Sequence, residues 1–212
     1  MHGMTLRRYQ RILQVLRTRQ PDLTILAEDV HKPHNLSAML RTADAVGIDH
    51  VHATNPTGGV PTFSDTAASA ERWVELVVHA DTESALRAVR SLGMQVVAAH
   101  FAADAVDYRD VDYTVPCCVV FGNERDGVSP AAAAAADRRV IIPMLGMVPS
   151  LNVSVATAVV MFEAQRQRQA AGAYDTPRLS QAERDARAFR GCPVSVAADC
   201  RVSAVRSRSS PA

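Results

Sequence analysis

Residues 141–162 read IIPMLGMVPSLNVSVATAVVMF. A short apolar run ends at Pro143, a loop of Gly and Pro follows, and a long helix is predicted from about Asn152 to Ala171. FGNERDGVS (Phe121–Ser129) and NLSAMLRTADAVG (Asn35–Gly47) have the same build. Each joins a loop rich in Gly, Pro, Asn or Ser to an apolar segment that reads as strand or helix. Polar side chains at such junctions are those a fold can aim at a substrate.

Outward from these stretches, strand and helix patterns alternate. Apolar residues Leu6, Tyr9, Ile12, Leu13 and Leu16 recur at helical spacing in 4–19, with arginines on the other faces. Asp22 to Val30 reads as strand plus loop. HKPHN (31–35) reads as a loop in which Pro33 delays the helix, Ser37 to Val46 as that helix, and Gly47 as its stop. Further strands are predicted at Asp49–Thr54, Val74–Val78, Met94–His100, Cys117–Phe121 and Val140–Ile142. Helices are predicted at Thr82–Leu92, from Pro130 to Asp137 behind a Ser129 cap, and at Arg178–Arg190. Asn55 to Asp65 reads as a flexible loop. This alternation predicts an α/β fold: a mostly parallel sheet flanked by helices. The expected organisation is a basic helical extension over 1–21, an α/β domain over 22–171, and a basic extension over 172–212 whose end is disordered.

The chain has 212 residues, 48% of them apolar, enough for one sizeable core. No apolar run approaches the ~20 residues of a membrane span. The opening MHGMTLRRYQ lacks a signal peptide's apolar stretch, so a cytoplasmic protein is expected. Cys117 and Cys118 lie in a strand-like run and Cys192 and Cys200 lack CxxC spacing, so reduced thiols are expected. Charge is unevenly spread. Residues 1–21 carry five arginines and no acid, residues 164–212 nine arginines against four acids, and the middle nine basic against 18 acidic residues. Basic arms flanking an acidic body suit nucleic acid, with solvated helical faces as the plainer alternative.

Two nucleotide motifs fail. No GxGxxG follows a strand, which counts against a Rossmann site. Gly122 and Gly127 have P-loop spacing, but Val128 and Ser129 follow where Lys is required. His31, His34, His50, His52, His79 and His100 show no metal-ligand spacing with Cys or acid neighbours, and no metal is expected.

Together the three stretches resemble the motifs of the SpoU/TrmH family of RNA 2′-O-ribose methyltransferases, in the SPOUT superfamily, and most closely its tRNA guanosine branch. The resemblance runs from about Tyr9 to about Tyr174; RRYQRI, RQPDL, VHKPHN and EAQRQRQ extend it. It implies a deep C-terminal trefoil knot, a homodimer, tRNA as partner, and S-adenosylmethionine as cofactor with no metal. It further implies 2′-O-methylation of a guanosine, at position 18 in the tRNA D-loop, with a ribosomal RNA guanosine or a non-catalytic RNA-binding protein as alternatives.

By the same resemblance, Asn35, Arg41, Glu124, Ser150 and Asn152 form the catalytic set. Helix capping is the plainer role for Asn35, Ser150 and Asn152; for Arg41 it is a surface arginine or an ion pair with Asp44, and for Glu124 a pair with Arg125 or Arg41. Main-chain groups near Ala99, Gly122, Ile142 and Leu151 are implied to hold the cofactor. Arg8, Arg11, Arg19, Lys32, Arg166 and Arg168 are the expected RNA ligands. Val155, Val159 and Phe162 are candidates for the dimer contact, with core packing as the alternative. Gly191-Cys192-Pro193 and the Arg/Ser tail depart from the family pattern.

Overall fold

The structure, a computed structural model, describes residues 5–54 and 73–190. The expected loop at Asn55–Asp65, Cys192, Cys200 and the expected disorder near the end lie outside the described residues.

A parallel sheet organises the chain. Its strands are β1 (Leu23–Glu28), β2 (His50–Thr54), β3 (Glu75–His79), β4 (Gln95–Ala99), β5 (Val106–Asp107), β6 (Cys117–Phe121) and β7 (Arg138–Ile141). The spatial order is β3-β2-β1-β6-β4-β7-β5, and every pairing is parallel. Parallel strands need crossovers, and among the described residues α2 (Pro33–Ala45), α3 (Thr82–Ser91) and α4 (Pro130–Ala135) supply helical ones, from β1 to β2, β3 to β4 and β6 to β7. The long α5 (Val153–Ala170) follows β7, while α1 (Leu6–Arg17) and α6 (Gln181–Arg190) lie at the ends. Among the described residues no helix is long and apolar enough to cross a membrane.

Central strands explain the near-continuous apolar runs. All six residues of β1 and all five of β6 are buried, as strands covered on both faces must be. Period-two alternation divides β6 between two cores. Cys117, Val119 and Phe121 join Met39, Leu40, Val160 and Met161 beneath α2 and α5. Cys118 and Val120 join Leu86, Val89 and Ala132 beneath α3 and α4. The adjacent cysteines thus point to opposite faces and are free. Burial pushes the Cys117 thiol up to about 12 and Cys118 well above its ordinary value. Both are neutral packing groups.

Helix α2 corrects the expected boundary. It begins at Pro33, not Ser37. Proline restricts the residue before it, so Lys32 is extended (φ −83°, ψ 116°) while Pro33 takes the first helical position. Asn35 is therefore the third residue of the helix rather than its cap. Strand β5 was not expected; two residues carry no readable alternation.

The basic arms meet. Ile12 and Leu16 of α1 pack against Ala188 of α6, with Leu13 and Trp73 beside them. Arg187 makes a two-pronged ion pair with the buried Asp49, at 2.8 and 2.5 Å. At the sheet edge His52 Nδ1 lies 2.8 Å from His79 Nε2, and His50 meets His52 edge-on. Burial, with the neighbouring imidazoles, pulls His52 down to about 4, so it is neutral and one ring donates to the other.

Two expected RNA ligands are corrected here. Arg19 is fully buried, donating to the Ile48 carbonyl at 2.7 Å and to Asp44 Oδ1 at 2.6 Å. Arg168 is also fully buried and pairs with Asp22 at 2.7 Å. Neither can reach a phosphate, because each already neutralises a carboxylate inside the fold. Arg8, Arg11, Lys32 and Arg166 are exposed, and Arg166 forks onto Glu163.

Candidate active site

A parallel sheet leaves a crevice beyond the carboxyl ends of its strands. Here it is a cleft of about 700 Å³ beyond β6, β4 and β7. Ala99, Gly122, Ile142 and Leu151, the four expected cofactor positions, all line it. So do Lys32, Glu124, Ser150 and Asn152. The strand ends supply main chain and small or aliphatic side chains, which suits a largely uncharged ligand surface.

Gly122 is held tight for a reason the sequence did not show. An added Cβ would lie 1.9 Å from the Gly127 carbonyl carbon and 2.1 Å from the Val128 nitrogen. The loop folds back on itself there. Gly127 N–H donates to the Asn123 carbonyl at 3.1 Å, and Asn123 Oδ1 accepts from the Arg125 and Asp126 N–H groups at 2.9 and 2.8 Å. The bare glycine admits its own loop, whatever ligand also approaches. Gly122→Ala is therefore expected to force the 122–128 loop open, lower the melting temperature and weaken cofactor binding. Gly146→Ala, where a methyl meets open space, is expected to leave the melting temperature unchanged. Calorimetric melts and cofactor titration of both variants check this.

Behind the loop, Glu28 at the end of β1 is buried and accepts from Ser129 N–H at 2.9 Å, Ser129 Oγ at 2.6 Å and Thr82 Oγ1 at 2.8 Å. It ties the starts of α3 and α4 to the central strand. Ser129 caps α4 as expected, accepting from Ala132 N–H at 3.1 Å.

Three expected site residues form one hydrogen-bonded unit. Asn35 Nδ2 donates to Glu124 Oε1. Asn152 Nδ2 donates to Asn35 Oδ1 at 3.3 Å. Asn152 Oδ1 caps α5, accepting from Ser154 N–H at 2.9 Å. Thus α2, the loop after β6 and the start of α5 are locked together, and Asn35 is buried among them. Burial alone would raise the Glu124 carboxyl. The Asn35 hydrogen bond, its own backbone and the charges of Lys32 and His31 outweigh that and hold it below its ordinary value. An ionised Glu124 can only accept, which fixes the Asn35 amide with its oxygen toward Asn152.

Asn152 is a cap, as the plainer alternative held, and it also faces Asn35. Ser150 is exposed on the cleft wall. Arg41 is not brought to the cleft of its own chain. It is exposed on α2, and among the described residues it has no hydrogen-bond or ion-pair partner. Asp44, its suggested mate, is taken by Arg19. His100, Phe101, Arg125 and Met144 also line the cleft and were not expected there. Position just past a strand end was the available signal.

Residues 22–162 match the profile of the SpoU rRNA methylase family. The chain belongs to that family. A second SpoU profile, for the C-terminal region, matches 166–205, so the family relationship reaches past Tyr174 and into the tail that looked divergent. Among characterised SpoU relatives, the tRNA (guanosine(18)-2′-O)-methyltransferase of Thermus thermophilus is 59% identical over 179 residues, spanning 84% of this chain and 92% of the relative. The solved Aquifex aeolicus TrmH/SpoU tRNA-modifying enzyme superposes with a TM-score of 0.82 at 38% identity, covering 87% of this chain and 94% of that one. An AdoMet-bound rRNA methyltransferase from Sinorhizobium meliloti superposes with a TM-score of 0.61 at 32% identity, covering 73% of this chain and 59% of that one.

Proposed function

We propose that this protein transfers the methyl group of S-adenosylmethionine to the ribose 2′-hydroxyl of the guanosine at position 18 in the tRNA D-loop. One observation carries the reading: in a chain so similar to the Thermus tRNA enzyme, the Asn35–Glu124–Asn152 unit stands at the polar end of a cleft lined by strand-end main chain.

The lining fits that cofactor. Ala99, Ile142 and Leu151 offer backbone groups and apolar surface to a nucleoside, and the cleft has the volume of a small-molecule site. When bound, S-adenosylmethionine supplies an electrophilic sulfonium methyl. The chain's own residues must then hold an acceptor hydroxyl in line with it. Asn152 and Glu124 face the cleft and offer polar groups to ribose oxygens, with the buried Asn35, bonded to both, as their positioning residue. Ser150 offers a hydroxyl beside them. Guanidinium has a pKa above ~12 and is a poor base, so Arg41 acts by gripping an RNA phosphate. That phosphate oxygen takes the 2′-hydroxyl proton, and Arg41 offsets the charge that develops. Arg8, Arg11, Lys32 and Arg166 are exposed cations suited to the RNA backbone.

The reading includes a homodimer and a C-terminal trefoil knot. Val155, Val159 and Phe162 recur at i, i+4 and i+7 on α5, and Val155 and Phe162 remain 48% and 49% exposed. A two-fold partner covering that face would carry each Arg41 toward the neighbouring cleft.

Labelled S-adenosylmethionine offered with an unmodified tRNA transcript or a large-subunit rRNA fragment tests the substrate. Label in the tRNA alone supports the proposal. Label in the rRNA alone would move the acceptor, and label in neither would leave an RNA-binding protein.

A further inference from the structure

We infer that a second hollow, between α1, the end of α2 and α5, takes up an unstacked, amino-bearing base of the RNA from a nucleotide near the methyl acceptor, an inference that rests on the methyltransferase reading above.

The hollow measures about 410 Å³ and shares no lining residue with the cleft. Its wall carries hydrogen-bonding groups that the fold does not use. Gln165 and Gln169 stand one turn apart on α5, and among the described residues neither side-chain amide has a hydrogen-bond partner. Gln14 Oε1 accepts from Arg11 Nη1 at 3.2 Å, which leaves the Gln14 amide protons free. Asp44 Oδ1 is held by Arg19 at 2.6 Å, while Oδ2 has no partner among the described residues. Tyr174 is pinned by its hydroxyl, which donates to the Val46 carbonyl at 2.7 Å, so its ring is a fixed aromatic wall across from these groups.

Polar edges beside an aromatic wall are what a base splayed out of a single strand requires. The Asp44 carboxylate can only accept, so it calls for a base with an amino group. The glutamines can turn either end of their amides to the donors and acceptors alongside. The surroundings supply the strand itself. Arg11 at the rim, with Arg8 one turn before it on α1, is an exposed cation placed for phosphates. Asp44 lies one turn beyond Arg41 on α2, so an RNA strand gripped by Arg41 runs past the mouth of the hollow. Rim cations would hold any RNA backbone; the amides and the carboxylate add contact with a base.

The test measures affinity for an unmodified tRNA transcript across a series of salt concentrations, with the full-length protein and its Gln165→Ala/Gln169→Ala, Gln169→Ala and Arg11→Ala variants. The double variant is expected to raise Kd about tenfold. Its salt dependence should match that of the unsubstituted protein, because no phosphate contact is lost, whereas Arg11→Ala should flatten the salt dependence. Gln169→Ala, at an exposed position, should give a smaller rise in Kd. Transcripts with a single abasic nucleotide, scanned through the positions flanking 18, then locate the base. At one position the abasic transcript should bind the unsubstituted protein about tenfold more weakly and the double variant no more weakly than the intact transcript does. Melting temperatures and affinity for S-adenosylhomocysteine should be unchanged throughout. An unchanged Kd for the double variant would overturn the inference, as would the absence of any coupled position, or a coupled position occupied by uridine, which has no amino group. Dissociation of a dimer on substitution would assign the hollow to a second copy of the chain and also overturn it. Failure of the unsubstituted protein to bind tRNA would instead strike the underlying reading, and the inference with it.

Discussion

Replacing Arg168 by alanine is expected to cost about 3–5 kcal/mol of stability, the range for removing one partner of a buried ion pair. Its guanidinium donates to the Tyr113 carbonyl at 2.8 Å, the Val115 carbonyl at 2.8 Å, Gln20 Oε1 at 3.1 Å, and the Asp22 carboxylate and carbonyl at 2.7 and 3.1 Å. One side chain on α5 thus joins the segment before β1 to the segment before β6. Alanine leaves the buried Tyr113 carbonyl without its donor and the Asp22 carboxylate with Arg178 alone, although the Asp22 carbonyl keeps the Cys117 N–H. Lysine restores charge but not the planar fork, so Arg168→Lys should recover only part of the loss. In a chain of this size the alanine variant should melt roughly 10 °C lower. A melting temperature within ~2 °C of the unsubstituted protein would show that the network contributes little.

Arg41→Ala is expected to lower kcat for methyl transfer about 10²- to 10³-fold, the usual consequence of removing a preorganised charge from a transition state. Stability should hardly change, because Arg41 is exposed and no described residue pairs with it. Affinity for S-adenosylhomocysteine should also hold, since the proposed contact of Arg41 is an RNA phosphate rather than the cofactor. The discriminating measurement is single-turnover transfer at saturating cofactor and tRNA. A variant that loses cofactor affinity instead of rate would place Arg41 in the binding site. A variant of full activity would remove it from the reaction.

Much of the fold is legible because strand and helix periods differ. Cys117–Phe121 has its expected bounds, and the two faces of that strand divide as alternation requires. The start of α2 departs from expectation because Pro33 serves as a first helical residue rather than as a delay. The expectation that Arg168 grips phosphate fails although the helix carries the signal. Thr157, Met161, Ala164 and Arg168 recur at i, i+4, i+7 and i+11, and all are buried. Arg166, two positions away, points outward. Local charge counting sees both as one basic patch; helical phase separates them.

The site is legible in a different way. The cleft has no charged fingerprint, so its four main-chain positions come only from the family resemblance. Spacing could not have linked Asn35 to Glu124, which lie 89 residues apart and meet only because β1 and β6 are neighbours in the sheet. Nor could it show that Gly122 is needed for the loop's own closure.

The central claim is that a particular ribose hydroxyl is the methyl acceptor. A tRNA transcript carrying 2′-deoxyguanosine at position 18 alone removes that oxygen and leaves the base. The account predicts full transfer of label to the all-ribose transcript and none to the deoxy-substituted one, with both binding comparably. Undiminished transfer to the deoxy-substituted tRNA would contradict it.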